Sequence, residues 1–292
     1  MKGIYAASIS IVNSDLTLNT NSTRLYAENL ILKRGCHGVV LLGSTGQAQL
    51  ISVNEKMLLI EQLSESSLKN HFIIGIGCNS FIETVNLMSY GQKFGFNRFL
   101  LMPPAYYKYD DDGVYSYFSK IVDRSPDAKI ILYNFQRLSG YAFSIKIIEK
   151  LVKNFPNQII GVKDSTYNLY DKLDIDNFFV FPGSERKLLN GLNFGCDGVI
   201  SAVCNVTSLL ARKVYDDFHS KKEISENKKL CNVREVFENY NLVSALHTYK
   251  SLENNIFSNI LPPLQLLNDK QKKELLLNLK NLNFSSEKIV VA

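Results

Sequence analysis

The chain has 292 residues, 46% of them hydrophobic, and a formal net charge of +5. Its length and apolar content are sufficient for a large buried core, arranged either as two modest domains or as one α/β barrel. The longest apolar runs are far shorter than the ~20 residues that a membrane helix requires, and positions 1–8 lack the layout of a signal peptide, so we expect a soluble, cytoplasmic protein without a membrane partner.

The distribution of charged and metal-binding residue types disfavours several further functions. Part of the positive charge comes from lysines in the C-terminal third, which are typical of solvated helix faces. No arginine cluster with interleaved aromatic residues indicates a nucleic-acid-binding module. The four histidines lack the spacing of metal ligands, and the five scattered cysteines are typical of reduced thiols. We therefore predict neither a nucleic-acid partner nor a metal site.

Eight short apolar segments alternate with periodic, helix-like segments in the first part of the chain. Such alternation predicts parallel strands joined by crossover helices, and eight units within about 210 residues favour a closed (β/α)8 TIM barrel over an open doubly wound sheet. No glycine-rich dinucleotide fingerprint follows the first strand. Strands are predicted at 4–9, 38–42, 72–76, 98–102, 129–133, 159–163, 178–181 and 198–201, with helices between them at 22–33, 52–64, 81–94, 113–122 and 145–154.

The strand signal ends after Leu209, and helices are predicted at 209–218, 231–252 and 270–282. The predicted organisation is therefore a barrel domain at 1–220 followed by a C-terminal helical region at 221–292. The acidic run at 110–112 precedes a predicted helix, and we expect it to cap that helix rather than to bind a metal.

The active site of such a barrel lies at the carboxyl ends of its strands. The sixth predicted strand ends in Lys163, and a lone lysine there would ordinarily mark the exit of the strand into solvent. Tyr133, however, ends the fifth strand 30 residues earlier, about one βα repeat. The spacing predicts that the two side chains lie on adjacent strands at the same level.

These residue types together suit carbonyl chemistry. A lysine among apolar walls has its charged form disfavoured, and the neutral amine is a nucleophile that forms Schiff bases with carbonyl compounds. A neighbouring tyrosine hydroxyl can shuttle protons. The segment Gly43-Ser44-Thr45-Gly46 after the second strand offers backbone N–H groups and two hydroxyls to a small carboxylate. Taken singly, the turn would be an ordinary loop and Tyr133 a core aromatic residue.

Four motifs, in order and at strand ends, resemble the pyruvate-dependent class I aldolases and lyases that include dihydrodipicolinate synthase, N-acetylneuraminate lyase and 2-keto-3-deoxygluconate aldolase. The resemblance covers nearly the whole chain. It implies a (β/α)8 barrel with C-terminal helices, usually a homotetramer, and covalent Schiff-base chemistry without a cofactor. The motifs are Gly43-Ser44-Thr45-Gly46, Tyr133-Asn134 with Ser139-Gly140, Gly161-Val162-Lys163-Asp164, and Gly195-Cys196-Asp197-Gly198-Val199-Ile200-Ser201 with Asn205.

The resemblance also implies individual roles. Lys163 would form the Schiff base with pyruvate and Tyr133 would shuttle protons. Ser44 and Thr45 would hold the pyruvate carboxylate beside the backbone of Ile200, and Ser44 would belong to the hydroxyl relay. Tyr106 would match a tyrosine that some members donate across a subunit interface, with Tyr107 as its rival. The remaining predicted substrate contacts are Ser165, Gly183, Glu185 and Arg186.

Several departures from the family pattern bear on the substrate. Dihydrodipicolinate synthases carry an arginine where this chain has Leu138, and Arg137 is offset by one residue. Sialic-acid lyases have two acids where this chain has Glu185 and Arg186. We hypothesise that Arg186 pairs with an anionic or polyhydroxylated end of the substrate, although a surface arginine is the alternative. Two further departures are Gln47 for a glutamate and Ser10-Ile11 for Thr-Pro.

The sequence thus predicts a pyruvate-dependent class I aldolase or lyase acting with an aldehyde derived from a sugar acid, similar to 2-keto-3-deoxygluconate aldolase or N-acetylneuraminate lyase. One alternative is a 4-hydroxy-tetrahydrodipicolinate synthase, which combines pyruvate with aspartate semialdehyde. An alternative of another class is a barrel that binds a keto acid without catalysis. The sequence leaves open the aldehyde, the stereochemistry, the physiological direction and the choice between dimer and tetramer.

Overall fold

The structure is a computed structural model that describes residues 1–285; residues 286–292, the end of the predicted C-terminal region, lie outside the described residues. Eight parallel strands form the centre of the fold. The first seven pair with one another in chain order, and the eighth pairs with the first. The strands are β1 (Gly3–Ala7), β2 (Gly38–Leu41), β3 (Phe72–Gly75), β4 (Arg98–Leu101), β5 (Lys129–Asn134), β6 (Ile159–Asp164), β7 (Phe179–Pro182) and β8 (Gly198–Ser201).

Asp197 bridges the remaining gap in the sheet, between β7 and β8. Its backbone N–H donates to the carbonyl of Val180 at 3.0 Å, and its carboxylate accepts from the Val180 N–H at 2.9 Å. The eight strands therefore form a nearly closed (β/α)8 barrel, which confirms the predicted fold class.

Eleven helices surround this barrel within residues 1–285. Polar side chains begin most of the longer ones by accepting a hydrogen bond from a backbone N–H of the first turn, and Asp110 caps its helix in this way, as predicted. The helices are α1 (Thr20–Leu32), α2 (Val53–Ser64), α3 (Phe81–Lys93), α4 (Asp111–Arg124), α5 (Gln136–Ser139), α6 (Ile145–Asn154), α7 (Leu188–Asn193), α8 (Cys204–His219), α9 (Asn227–Glu238), α10 (Leu242–Ser251) and α11 (Asp269–Asn281).

Three predicted elements differ most from the structure. The helix predicted at 209–218 begins at Cys204 rather than at residue 209. The first strand ends at Ala7 rather than at residue 9, because the N–H of Ile9 donates to the side chain of Asn205 at 3.2 Å. The single helix predicted at 231–252 is two helices, α9 and α10. Asn241 separates them, since its side chain accepts from the N–H groups of Val243 and Ser244 and so begins a new helix.

The apolar core has two layers. The larger layer packs the helices against the outer face of the barrel, and the smaller one fills the barrel interior. Side chains alternate between these layers along each strand, as expected for a sheet that is buried on both faces. The interior layer consists of Tyr5, Ala7, Val40, Ile73, Leu100, Ile131, Tyr133, Phe181 and Ile200.

Helices α9 to α11 extend the fold beyond the last barrel helix, α8. Helix α9 packs against both α8 and α11. The division of the chain into a barrel domain and a C-terminal region stays a prediction. No helix in the part of the chain that the structure describes has both the length and the apolarity to cross a membrane.

Candidate active site

The parallel pairing of β5 and β6 brings Tyr133 and Lys163 to the same level at the carboxyl end of the barrel. The two residues are direct partners in the ladder, and both are almost completely buried. Tyr133 belongs to the apolar layer inside the barrel, and the Nζ atom of Lys163 lies 4.3 Å from the centre of its ring. The predicted pair therefore lies together inside the barrel, although its catalytic role stays a prediction.

Ser44 extends this pair to the second strand. The Ser44 Oγ atom lies 3.1 Å from the hydroxyl oxygen of Tyr133, and either group can donate the hydrogen. Because both hydroxyls can donate and accept, a proton can pass along this contact. Lys163, Tyr133 and Ser44 thus form a continuous group that spans 119 positions of the sequence from residue 44 to residue 163.

Ser44 and Thr45 lie in the tight turn 43–46 that follows β2. The N–H of Gly46 donates to the carbonyl of Gly43 at 3.1 Å. A Cβ atom added to Gly46 would lie 3.0 Å from both the hydroxyl of Ser10 and the carbonyl oxygen of Ser8, so glycine fits this position without displacing either group. The turn therefore keeps both hydroxyl side chains at the end of the strand, with Thr45 buried.

Asp164, directly after Lys163, is a buried carboxylate to which the sequence analysis assigned no role. Asn134, the residue after Tyr133, donates to its Oδ1 atom at 2.8 Å. Four backbone N–H groups of the next turn also donate to the carboxylate, at distances from 2.8 to 3.1 Å: those of Thr166, Tyr167, Leu169 and Tyr170. These bonds fix the backbone immediately beyond both site residues. In the sequence, this network could have been detected from the polar residue that directly follows each site residue, Asn134 after Tyr133 and Asp164 after Lys163.

Ser165 and Gly183 meet at the ends of β6 and β7. The N–H of Gly183 donates to the carbonyl of Asp164 at 2.8 Å. A Cβ atom on Gly183 would lie 2.1 Å from the Ser165 Oγ atom, so only glycine allows this approach. The predicted substrate contacts at these two strand ends are therefore neighbours in the structure.

Glu185 is fully buried and bound by protein groups. Its carboxylate accepts from the Ser201 hydroxyl at 2.5 Å and from the Thr207 hydroxyl at 3.0 Å. The guanidinium group of Arg234 in α9, itself buried, lies 3.2 Å from the same carboxylate. This arrangement occupies the side chain that the sequence analysis offered to the substrate.

Arg186 is also engaged by α9. Its Nη1 atom lies 3.0 Å from the Glu238 carboxylate, which Arg234 binds at 2.8 Å from the other side. Although burial opposes its ionisation, the two guanidinium groups hold the pKa of the Glu238 carboxyl below its usual value. The charged groups therefore alternate in sign along the network, in the order Glu185, Arg234, Glu238 and Arg186.

Ile200 and the two tyrosines of the fourth strand end occupy contrasting environments. Ile200 is buried inside the barrel, where it pairs with Tyr5 across the β1–β8 ladder. Tyr106 is 89% exposed, and its neighbour Tyr107 packs edge-on against it with the ring centres 5.1 Å apart. The φ angle of Tyr106 is +87°, a conformation that is unfavourable for a bulky residue and is retained only where the surroundings impose it.

A cavity of about 330 Å³ opens beside Ser44 and Tyr133. Its walls come from the ends of β2, β3 and β4, from Leu138 in α5, and from the C-terminal segment 263–264. Within residues 1–285, the side chains that line the cavity are all uncharged. Lys163 does not line this cavity, so Ser44 and Tyr133 are the predicted site residues that it reaches. Arg137, next to Leu138, is exposed.

A (β/α)8 barrel that places a buried lysine beside the ring of a tyrosine on the adjacent strand has the architecture of a lysine-dependent, class I aldolase. The chain belongs to the dihydrodipicolinate synthetase family, whose family model matches residues 1–282. Membership supports a lyase enzyme of the pyruvate-dependent aldolase type, and cofactor-free Schiff-base chemistry fits this family. Within residues 1–285, no three His, Cys, Asp or Glu side chains are grouped so as to hold a metal ion.

Individual relatives differ in name. An uncharacterized DapA-like lyase of Chloroflexus aurantiacus is 32% identical over 219 residues, which cover 73% of each chain. An N-acetylneuraminate lyase of Clostridium perfringens is 28% identical over 74% of this chain and 76% of its own length. The crystal structure of YagE, a prophage protein from E. coli K12 in complex with pyruvate, shares the fold, with a TM-score of 0.85 at 22% identity over 97% of this chain and 99% of its own.

The buried pair of Glu185 and Arg234 predicts a large loss of stability in Arg234→Met. Removing the guanidinium group leaves the Glu185 carboxylate buried without its counterion, which costs roughly 3–5 kcal/mol of the free energy of unfolding. Urea denaturation monitored by circular dichroism measures this loss. The matched control is Arg212→Met, which breaks the exposed pair with Asp216 in α8 and should cost no more than about 1 kcal/mol. Equal losses in the two variants would contradict the structural role of Arg234.

Proposed function

We propose that this protein is a pyruvate-dependent class I aldolase in which Lys163 forms the Schiff base. The observation that carries the proposal is the contact between Lys163, Tyr133 and Ser44, in which the lysine nitrogen lies beside the tyrosine ring and the two hydroxyls lie 3.1 Å apart. The site combines a buried amine with a proton relay, as Schiff-base chemistry requires.

In the proposed reaction, the neutral Lys163 amine attacks the keto carbon of pyruvate. The carbinolamine takes up a proton and loses water, which leaves a protonated Schiff base. Loss of a proton from the pyruvate methyl group gives an enamine, and its carbon attacks the carbonyl carbon of the aldehyde. Water then hydrolyses the new Schiff base and frees the lysine. Tyr133 donates and accepts the protons of these steps, and Ser44 passes them on.

The turn 43–46 is the proposed seat of the pyruvate carboxylate. Backbone N–H groups and the hydroxyls of Ser44 and Thr45 are suited to a small anion, because they can donate several hydrogen bonds to its oxygen atoms. The backbone of Ile200 would border the same site. Ser165 and Gly183 would line it from the sixth and seventh strand ends.

We further propose that the aldehyde is uncharged, as glyceraldehyde is in the reaction of 2-keto-3-deoxygluconate aldolase. The position that holds the carboxylate-binding arginine of dihydrodipicolinate synthases is apolar Leu138. Glu185 and Arg186, which the sequence offered to the far end of the substrate, are each paired with a charged group of α9. Neither Glu185 nor Arg186 therefore has an unpaired charge to offer an anionic aldehyde.

The proposal predicts a ranking of aldehydes in aldol condensation with pyruvate. The kcat/KM for glyceraldehyde should exceed that for aspartate semialdehyde, which carries an anionic carboxylate. Lys163→Ala should abolish turnover, and Tyr133→Phe should lower kcat by about 10²- to 10⁴-fold through loss of the proton shuttle. Tyr117→Phe, which alters a half-buried tyrosine of α4, is the matched control and should retain wild-type kcat. A preference for aspartate semialdehyde would favour the synthase instead.

We also propose that the cavity beside Ser44 and Tyr133 receives Tyr106 of a second copy of the chain. The cavity has uncharged walls and reaches both hydroxyls of the relay, which suits a phenol side chain. Tyr106 is almost fully exposed in a strained turn, and such strain is retained where a residue has a task outside its own chain. The functional unit would then be at least a dimer, within the homotetramer that the family resemblance implies.

Complementation between two inactive variants tests this arrangement. Tyr106→Phe removes the donated hydroxyl, and Lys163→Ala removes the Schiff-base lysine. In a mixed dimer one site receives an intact lysine from one subunit and an intact tyrosine from the other, so an equimolar mixture should regain about a quarter of the wild-type activity after subunit exchange. Tyr107→Phe is the matched control and should remain active by itself. A monomeric protein with full activity would contradict the proposal.

A further inference from the structure

Gln47 directly follows the turn 43–46 and has an unusual backbone conformation. Its φ angle is +57°, in the left-handed region that residues with a Cβ atom adopt only at a cost. Its side chain is 3% exposed, so the polar amide group is taken almost completely out of water. Both features require compensation by specific contacts, since a buried amide without partners is destabilising.

Within the described residues, the hydrogen bonds of the Gln47 side chain go to the C-terminal part of the chain. Its Oε1 atom accepts from the backbone N–H of Leu261 at 2.8 Å. Its Nε2 atom lies 3.2 Å from the Nε2 atom of His247 in α10. The other ring nitrogen of His247, Nδ1, lies 2.9 Å from the carbonyl oxygen of Phe257. One amide thus connects the turn after β2 to helix α10 and to the segment 257–261.

The two backbone groups at the ends of this series of hydrogen bonds determine which atom donates in each bond. The carbonyl of Phe257 can only accept, so Nδ1 of His247 carries a hydrogen. The N–H of Leu261 can only donate, so the oxygen of the Gln47 amide faces it and the NH₂ group faces His247. In the neutral ring, Nε2 then accepts from the NH₂ group of Gln47. An amide at position 47 and a neutral imidazole at position 247 therefore fit each other.

The surroundings of His247 agree with a neutral ring. The side chain is fully buried, and burial lowers the pKa of His247 while the bond to Phe257 raises it. Neither contribution comes from a charged side chain. The buried cation of the same helix, Lys250, is bound to Glu253 instead. A glutamate at position 47 would place a carboxylate oxygen, which only accepts, against Nε2, which also accepts in the neutral ring. That contact would require a proton on Nε2.

The turn is held from its other side by Ser10. The Ser10 hydroxyl donates to the carbonyl of Gly46 at 2.7 Å. The two departures from the family pattern, at positions 10 and 47, therefore act on the same turn. The segment bound by Gln47 also continues into residues 263–264, which form one wall of the cavity beside Ser44 and Tyr133. Gln47 thus connects the turn 43–46 to the segment that forms this wall of the cavity, and Gln47 lines the same cavity.

We infer that Gln47 and His247 are positioning residues that hold the turn 43–46 in the geometry needed for the pyruvate carboxylate. The inference rests on the proposed function of that turn. Neither residue takes part in the bond-making steps. Breaking the Gln47–His247 contact should therefore raise the KM for pyruvate more than it lowers kcat. The Lys163–Tyr133 pair is held separately by Asp164 and Asn134, whereas the turn carries both the proposed carboxylate seat and Ser44.

The test uses the full-length protein in the aldol assay with glyceraldehyde. Gln47→Leu removes both amide contacts at similar volume and should raise the KM for pyruvate about tenfold, with a distinctly smaller loss of kcat. His247→Leu should have a comparable effect. The KM of the double variant should not exceed the higher of the two single-variant KM values, since either change breaks the same series of hydrogen bonds. The matched control is Gln158→Leu, which removes an exposed amide bound to the carbonyl of Pro126 and leaves the Gln47–His247 contact intact.

Gln47→Glu keeps the volume and the bond from Leu261, and it decides the matter if the leucine variants do not fold. Because the new carboxylate needs a proton on His247, the KM of this variant for pyruvate should fall as the pH is lowered from about 8 to about 6. The KM of the wild type should change by a smaller factor over the same pH range. Wild-type KM in every Gln47 and His247 variant that turns over, with lower melting temperatures alone, would overturn the inference. A wild type without turnover would overturn the proposed function and this inference with it.

Discussion

The parallel register between β5 and β6 is the constraint on which the site depends. It places Tyr133 opposite Lys163, and the alternation of side chains along each strand turns both toward the barrel interior. A slip of one residue on either strand would turn one of them to the outer face, where the helices pack. The buried amine and the hydroxyl beside it are therefore consequences of strand pairing rather than of any local motif.

Burial of a lysine and a tyrosine hydroxyl has to be matched by rigidity around them. Asp164 and Asn134 provide it on the carboxyl side of the pair, where one carboxylate receives four backbone N–H groups and one amide. A second network, from Glu185 through Arg234 to Glu238, joins the seventh strand end to α9. The C-terminal helices are thus bound to the site by polar contacts, and not only by apolar packing, at two separate places.

The alternation of elements was sufficient to predict the barrel and the Lys163–Tyr133 pair, because both follow from periodicity and from one repeat length. The surroundings of Glu185 could not be predicted in this way. An acid at a strand end looks the same in sequence whether it faces a cavity or a helix, and its counterion, Arg234, lies 49 residues later. The bond between Gln47 and His247 spans 200 residues, and neither residue marks the other. The break between α9 and α10 was missed because apolar periodicity continues across it, and only the capping by Asn241 reveals it.

Trapping of the Schiff base tests the central claim most directly. The protein is incubated with pyruvate, reduced with borohydride and analysed by intact mass and peptide mapping. The account predicts one reduced pyruvate adduct, located on Lys163, which is absent without pyruvate and absent from Lys163→Ala. Two other lysines, Lys56 and Lys250, are as deeply buried and serve as internal comparisons. An adduct on either of them, or no adduct in folded wild-type protein, would contradict the assignment of Lys163 as the reactive amine.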